Sequence, residues 1–176
     1  MLTHIRGILD QEQLATAHRL IAAGGFQDGA RSAGMAARRV KHNDELALSP
    51  AQMSDLNNLV MGSLVKHPTY RSAAMPLKIA APYYARYTPG MSYGNHVDDP
   101  IMGQGPRFRS DVSMTIFLND PASYDGGELV IRTPFGDQQV KLSAGHAVVY
   151  PSASVHRVAE VTRGERLVAL TWIQSF

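Results

Sequence analysis

Apolar residues follow two different periods along this chain, and the change between them divides it. Over 10–23, Leu14, Ala17, His18 and Ile21 recur at helical spacing until Gly24-Gly25 stops the run, and Asp10 with Gln13 three residues on reads as a capping box. A second helix is predicted over 50–66. Ser49 is its N-cap, Pro50 takes the first helical position, Gln52 closes the box, and Met53, Leu56, Val60 and Leu64 form a stripe that ends before Pro68. Between the two, residues 26–43 show neither period and read as ordered but irregular.

From Lys78 onward the pattern changes to short runs broken by turns. Eight strands are predicted: Ile79–Tyr87, Ser92–Asp98, Asp111–Leu118, Glu128–Thr133, Gln138–Leu142, Ala147–Tyr150, Val155–Val161 and Arg166–Ile173. Pro89-Gly90, Asp125-Gly126-Gly127, Phe135-Gly136-Asp137 and Arg163-Gly164 are among the breaks. Eight evenly spaced strands after a helical preface suit a mainly β protein with a double-stranded β-helix, or jelly-roll, core. The last strand is apolar on both faces, with Val168, Leu170 and Trp172 alternating with Leu167, Ala169 and Ile173. Its outer face therefore needs a cover, and the N-terminal helices are expected to pack on that sheet. The division expected is a helical support region over 1–76 and a jelly-roll core over 77–176, together one structural domain.

Bulk properties narrow the function classes. The chain has 176 residues, 44% of them apolar, and a formal charge of +2, which gives no case for a nucleic-acid or membrane partner. Cysteine is absent, so disulfides and thiolate metal sites are excluded. No run of 18 apolar residues occurs, and Met1–Arg6 lacks a basic stretch followed by an apolar one, so the expectation is a cytoplasmic protein without a signal peptide.

The chemistry concentrates at His96-Val97-Asp98. In a strand, positions two apart share a face, which places an imidazole and a carboxylate side by side. These are two members of the 2-His-1-carboxylate triad that holds non-haem Fe(II). His156 opens a later strand and can supply the third, and Arg166 follows ten residues on with a guanidinium suited to a carboxylate. His-x-Asp alone is a common pattern; the combination on separate strands is what carries weight. His4, His18, His42, His67 and His146 have no partner at ligand spacing and read as structural. Arg38, Arg39 and Lys41 read as a solvated basic edge, with a border of the substrate mouth as the alternative. The loop over 100–109, rich in Gly and Pro, follows the metal strand and is placed to act as a substrate lid.

The segment from Arg86 to Asp98, Arg86-Tyr87-Thr88-Pro89-Gly90-Met91-Ser92-Tyr93-Gly94-Asn95-His96-Val97-Asp98, resembles the iron-motif segment of bacterial PKHD-type hydroxylases, relatives of prolyl 4-hydroxylase among the Fe(II)/2-oxoglutarate oxygenases. The likeness continues through Phe117-Leu118-Asn119-Asp120-Pro121, Tyr124-Asp125-Gly126-Gly127-Glu128-Leu129, Tyr150-Pro151-Ser152 and Val161-Thr162-Arg163-Gly164, and so covers nearly the whole chain. Asn95 and His146 stand where the family pattern has an aromatic and an acidic residue, and the family's further C-terminal helical segment does not follow Phe176.

The resemblance implies that His96, Asp98 and His156 ligate Fe(II) and that Arg166 binds 2-oxoglutarate, with O2 as the other cosubstrate and L-ascorbate a candidate accessory. Tyr87 and Tyr93 are candidate hydroxyl donors to 2-oxoglutarate and equally credible core aromatics. The implied activity is hydroxylation of a peptidyl or small-molecule substrate, with 2-oxoglutarate converted to succinate and CO2; a homo-oligomer is left open. The competing readings are a metal-dependent hydrolase or isomerase on a cupin-like barrel and a non-catalytic metal-binding barrel. A hydrolytic site has no need of Arg166, which weighs against the first.

Overall fold

Two helices form where the capping boxes predict them, and two shorter ones join them. In the computed structural model, which describes residues 1–32, 34–103 and 105–176, they are α1 (Gln11–Ala22), α2 (Met35–Arg38), α3 (Pro50–Leu64) and α4 (Pro68–Ala74). The Asp10 carboxylate accepts from the Gln13 N–H at 2.8 Å while the Asp10 N–H donates back to Gln13 at 2.9 Å, and Ser49 and Gln52 form the same reciprocal box before α3. Among the described residues no helix is long and apolar enough to cross a membrane.

Strands β1 (Thr3–Ile5), β2 (Gly25–Asp28), β3 (Lys41–His42) and β4 (Asp44–Ala47) are interleaved with the first helices. After them come β5 (Pro76–Ile79), β6 (Tyr83–Tyr87), β7 (Ser92–His96), β8 (Ile101–Met102), β9 (Phe108–Arg109) and β10 (Val112–Phe117). The chain closes with β11 (Asp125–Gly126), β12 (Leu129–Thr133), β13 (Gly136–Val140), β14 (Ala147–Pro151), β15 (His156–Val158), β16 (Val161–Arg163) and β17 (Arg166–Ser175).

Two antiparallel sheets face each other as a jelly roll. The larger runs β1-β14-β10-β17-β6-β4-β2, with β5 also on β17, and the smaller runs β13-β12-β15-β7-β3. Ala85, Phe117, Val148 and Val168 of the larger sheet meet Leu129, Ile131, Val140 and Val158 of the smaller in one apolar cluster. On the larger sheet's other face, Ala17 and Ile21 of α1 and Leu56, Val60 and Leu64 of α3 cover Met114, Ile116, Val149, Ala169 and Ile173. This is the cover that the two-faced β17 requires. Each fully buried aliphatic side chain in it contributes roughly 1.5–3 kcal/mol.

Several predicted strands are redrawn. Ile79–Tyr87 splits into β5 and β6, which pair with the C-terminal and N-terminal halves of β17. Pro82, having no N–H to donate, sits in the gap, where Ala80 N–H bonds the Trp172 carbonyl at 2.9 Å. Val155–Val161 divides into β15 and β16, and Ser92–Asp98 ends its ladder at His96. Gln138–Leu142 begins two residues early as β13, because Thr133 pairs with Gly136 and leaves Pro134-Phe135 as a two-residue turn. Gly136 adopts φ +103°, open to glycine at no steric cost. The irregular stretch over 26–43 carries β2 and β3, which extend both sheets at one edge.

Candidate active site

The smaller sheet positions the first two candidate ligands. β7 and β15 are neighbours, and their register sets His96 directly opposite His156, with ring centroids 4.2 Å apart. Asp98 follows just beyond the end of β7, where its N–H donates to the Ser152 carbonyl at 3.3 Å. Its Oδ1 is 3.9 Å from Nε2 of His96 and 3.8 Å from Nε2 of His156. One ligand atom from each residue can thus be chosen so that all lie within 4.8 Å of one another.

Outer partners fix the form of each group. Nδ1 of His96 is 2.8 Å from the Gly94 carbonyl and Nδ1 of His156 is 3.0 Å from that of Ser154. A carbonyl can only accept, so both rings carry the proton on Nδ1 and keep the Nε2 lone pair free, the tautomer a metal requires. Burial, and second the repulsion between the two rings were both protonated, lowers the His96 pKa to about 4, which keeps the ring neutral at neutral pH. Oδ2 of Asp98 accepts from the Ser113 hydroxyl, which lies 2.8 Å from that of Ser152. Two imidazoles and a carboxylate with free lone pairs converging on one point are a donor set that fits Fe(II).

Arg166 begins β17 opposite Tyr87. Strand alternation turns Arg166, Val168 and Leu170 toward the space between the sheets and Leu167, Ala169 and Ile173 toward the helices. The Arg166 side chain is enclosed, the residue being 1% exposed, and its Cζ lies 5.0 Å from the Tyr87 ring centroid and 5.6 Å from that of Phe117. Its Nε and Nη1 are buried without a hydrogen-bond partner, and among the described residues no carboxylate pairs with it. Burying a charge unpaired is costly, so the fold leaves room for an anion there.

His96, Asp98, His156, Arg166, Tyr87 and Tyr93 all line one cavity of about 790 Å³, ample for a small dicarboxylate. The two tyrosines serve different parts of it. Tyr87 lies beside Arg166, whereas Tyr93 stacks on the His96 ring with centroids 3.6 Å apart. Burial raises both phenols, Tyr87 to about 12, so each remains a donor at neutral pH.

Of the two readings of the basic edge, the solvated one is corrected at Lys41 in favour of the cavity border. Arg38 and Arg39 are exposed, but Lys41 is buried at 8% exposure and lines the cavity. Its ammonium donates to Glu45 at 2.6 Å and to Ser32 at 2.7 Å and lies 5.6 Å from the Tyr93 ring centroid. The signal was present: in an extended segment, residues 41 and 45 share a face, and opposite charges there can pair. Tyr150 was also overlooked, and its ring meets His156 edge-on at 5.0 Å. Ile101, Met102 and Phe108, from the small β8–β9 ribbon, line the cavity as expected of that loop. His18 and His67 are structural, bonding the carbonyls of Leu118 and Arg6 at 2.7 and 3.0 Å.

Residues 82–174, which include the triad, Arg166 and both tyrosines, match the family model of the 2OG-Fe(II) oxygenase superfamily. The chain belongs to this superfamily. The oxygenase is 56% identical over 167 residues to a PKHD-type hydroxylase of Thioalkalivibrio sulfidiphilus, an alignment covering 94% of this chain and 75% of that protein. Its fold matches a viral collagen prolyl hydroxylase from Paramecium Bursaria Chlorella virus-1, solved as a 2OG complex, with a TM-score of 0.68 over 99% of this chain and 96% of that one at 16% identity. A prolyl hydroxylase from Trichoplax adhaerens, in complex with a hypoxia inducible factor peptide fragment, gives a TM-score of 0.69 over 98% and 82% of the two chains at 15% identity. At such identities these neighbours speak for the jelly-roll fold of the oxygenase. The family match and the 56% relative make it a 2-oxoglutarate-dependent dioxygenase of the PKHD hydroxylase kind.

Proposed function

We propose that this dioxygenase holds Fe(II) through Nε2 of His96, Nε2 of His156 and a carboxylate oxygen of Asp98, and grips the distal carboxylate of 2-oxoglutarate with Arg166. The observation that carries this reading is the buried, unpartnered guanidinium of Arg166 opening on the same cavity as the three converging ligand atoms. A cation trapped without an anion matches the end of 2-oxoglutarate that does not face the metal.

When bound, the iron supplies the redox chemistry by which O2 and 2-oxoglutarate yield succinate, CO2 and a hydroxylated substrate. The protein's own contribution is orientation and enclosure. Gly94 and Ser154 carbonyls hold the two rings with Nε2 inward, and Ser113 holds the Asp98 carboxylate by its other oxygen. Tyr87, protonated beside Arg166, is assigned to the cosubstrate; Tyr93, against His96, is assigned to the cosubstrate end nearer the metal. The apolar side chains of Ile101, Met102 and Phe108 restrict water at the mouth, where a peptidyl or small-molecule substrate enters. Residues 77–176 carry these groups, with 1–76 as support that also lends Lys41 and Glu45 to the cavity wall. L-Ascorbate is proposed as an accessory reductant on grounds of family alone.

The test is succinate formation from 2-oxoglutarate under air with Fe(II), with and without ascorbate, across a panel of peptides and small molecules. The expected result is iron-dependent succinate release that one substrate class accelerates, and that disappears in Asp98→Ala. Succinate release that persists without metal would sink the assignment.

A further inference from the structure

Among the described residues, the cavity wall carries one buried ion pair that the metal and cosubstrate assignments leave unused. Lys41 and Glu45 are each 8% exposed, and both line the cavity. They come from different sheets. β3 belongs to the smaller one, where Lys41 lies opposite Tyr93, and β4 to the larger one, where Glu45 lies opposite Ala85. Asn43 alone separates the two strands, so the chain steps from sheet to sheet there. The side chains flanking that step meet at 2.6 Å.

Stability does not call for this pair. The backbone ladders to β7, β6 and β2 already hold both strands. Two buried ions give up their water, and apolar side chains of the same volume would hold such a corner as well or better. The fold does so on the opposite face of β4, where Leu46 joins the core under the helices. Charge is kept only where it faces the cavity.

The pair presents a donor and an acceptor together. The Lys41 ammonium has three N–H groups and gives two, to Glu45 and, at 2.7 Å, to Ser32. Glu45 receives Lys41 and the Ser32 hydroxyl on the same oxygen, Oε1, and among the described residues nothing bonds Oε2. An ion brought here meets a field already cancelled. A neutral group with an acceptor and a donor of its own can bond both partners, and a carboxamide is such a group. The ammonium lies 5.6 Å from the Tyr93 ring centroid, and that ring stacks on His96 at 3.6 Å. A single aromatic ring thus separates the pair from a proposed metal ligand.

We propose that Lys41 and Glu45 are specificity-determining residues that bind a carboxamide of the substrate, Lys41 donating to its carbonyl and Glu45 accepting from its N–H. The proposal rests on the placing of the metal at His96, Asp98 and His156 made above. The amide belongs to a peptide backbone or to a free small molecule, since the pair reads the group and not what carries it.

The test uses the full chain loaded anaerobically with Mn(II) and 2-oxoglutarate and observed by nuclear magnetic resonance. The probes are N-methylpentanamide, methyl pentanoate, in which oxygen replaces the N–H, the pentanoate anion, the N-methylpentylammonium cation, and N-acetylalanine N-methylamide. Saturation transfer from the protein reports binding with or without metal, and relaxation by Mn(II) reports closeness to the triad. N-methylpentanamide should bind about tenfold more tightly than the ester, which lacks one hydrogen bond to a charged group, and more tightly than either ion. Tighter binding still of N-acetylalanine N-methylamide would assign the amide to a peptide, and weaker binding to a small molecule.

Lys41→Met combined with Glu45→Leu should bind amide and ester alike and melt no lower than the wild type. Glu45→Gln, which exchanges a carboxylate oxygen for an N–H donor, should by itself reduce the preference and covers the case of a double variant that does not fold. Equal binding of amide and ester by the wild type, tighter binding of either ion, or no saturation transfer to any probe overturns the proposal. So does an amide preference that survives both sets of substitutions, or one without relaxation by loaded Mn(II). Mn(II) that fails to load strikes the metal assignment instead, and saturation transfer still decides the amide preference.

Discussion

The two ends of the cavity are built on opposite plans. Around His96, Asp98 and His156, every polar atom that does not point at the common centre is tied to a carbonyl or a hydroxyl. Around Arg166 the fold supplies shape, through Tyr87 and Phe117, and leaves the donors unanswered. The difference follows from the side chains. An imidazole or a carboxylate has a second polar atom by which the protein can anchor it and still leave the first free. A guanidinium has donors only, and satisfying them from the protein would consume the groups the ligand needs. A metal site can therefore be braced ahead of its metal, whereas an anion clamp of this kind carries its deficit until the anion arrives.

The strongest way to break this comparison is to remove a ligand. His96→Ala, Asp98→Ala or His156→Ala should each reduce Fe(II) affinity by more than the roughly 100-fold that loss of an outer partner costs, and abolish succinate formation. Metal analysis after dialysis checks it, and full retention of iron by any one variant removes that residue from the site. Next comes Arg166→Ala, which should leave iron binding intact yet raise the 2-oxoglutarate requirement by roughly 10²–10⁴-fold, as two charge-assisted bonds of about 1.5–3 kcal/mol each are lost. Arg166→Lys should recover part of that, since an ammonium restores the charge without the fork. Titrating succinate formation against 2-oxoglutarate reads both.

A smaller effect should come from Ser113→Ala, which frees Oδ2 of Asp98. Iron affinity should fall by about 10–100-fold, with little change in the cosubstrate requirement once iron is saturating. If the 2-oxoglutarate requirement moved as much as the iron affinity, the two ends would not be separately built. Least of all should be the effect at the site of Leu56→Ala, in the helical layer over the larger sheet. It should lower stability by about 2–5 kcal/mol in thermal or urea unfolding, while iron and 2-oxoglutarate affinities of the folded fraction stay as in the wild type.

The metal end was readable because its signal is local and chemical: His96 and Asp98 two residues apart, and His156 ten residues before an Arg. The helices were readable from Asp10-Gln13 and Ser49-Gln52, whose caps depend on near neighbours only. What escaped depends on pairing over long distances. β2, β3 and β4 are short and become strands because edges of larger sheets are there to receive them, so no period in 25–47 announces them. Lys41 passed for a surface cation because its one local signal, Glu45 four residues on, does not show that β3 will lie beside Tyr93.

The register that sets His96 against His156 also has a mechanical side. The ladder between β7 and β15 is short and slips by one residue between His156 and Val158, so it is a weak seam in the smaller sheet. An ion shared by the two facing rings would act as a rivet through that seam, binding the folded arrangement and not the unfolded chain. Iron would then hold the smaller sheet together across this pairing as well as supply the chemistry beside it. Protection of the β7 and β15 amides from solvent exchange should then rise when the metal binds.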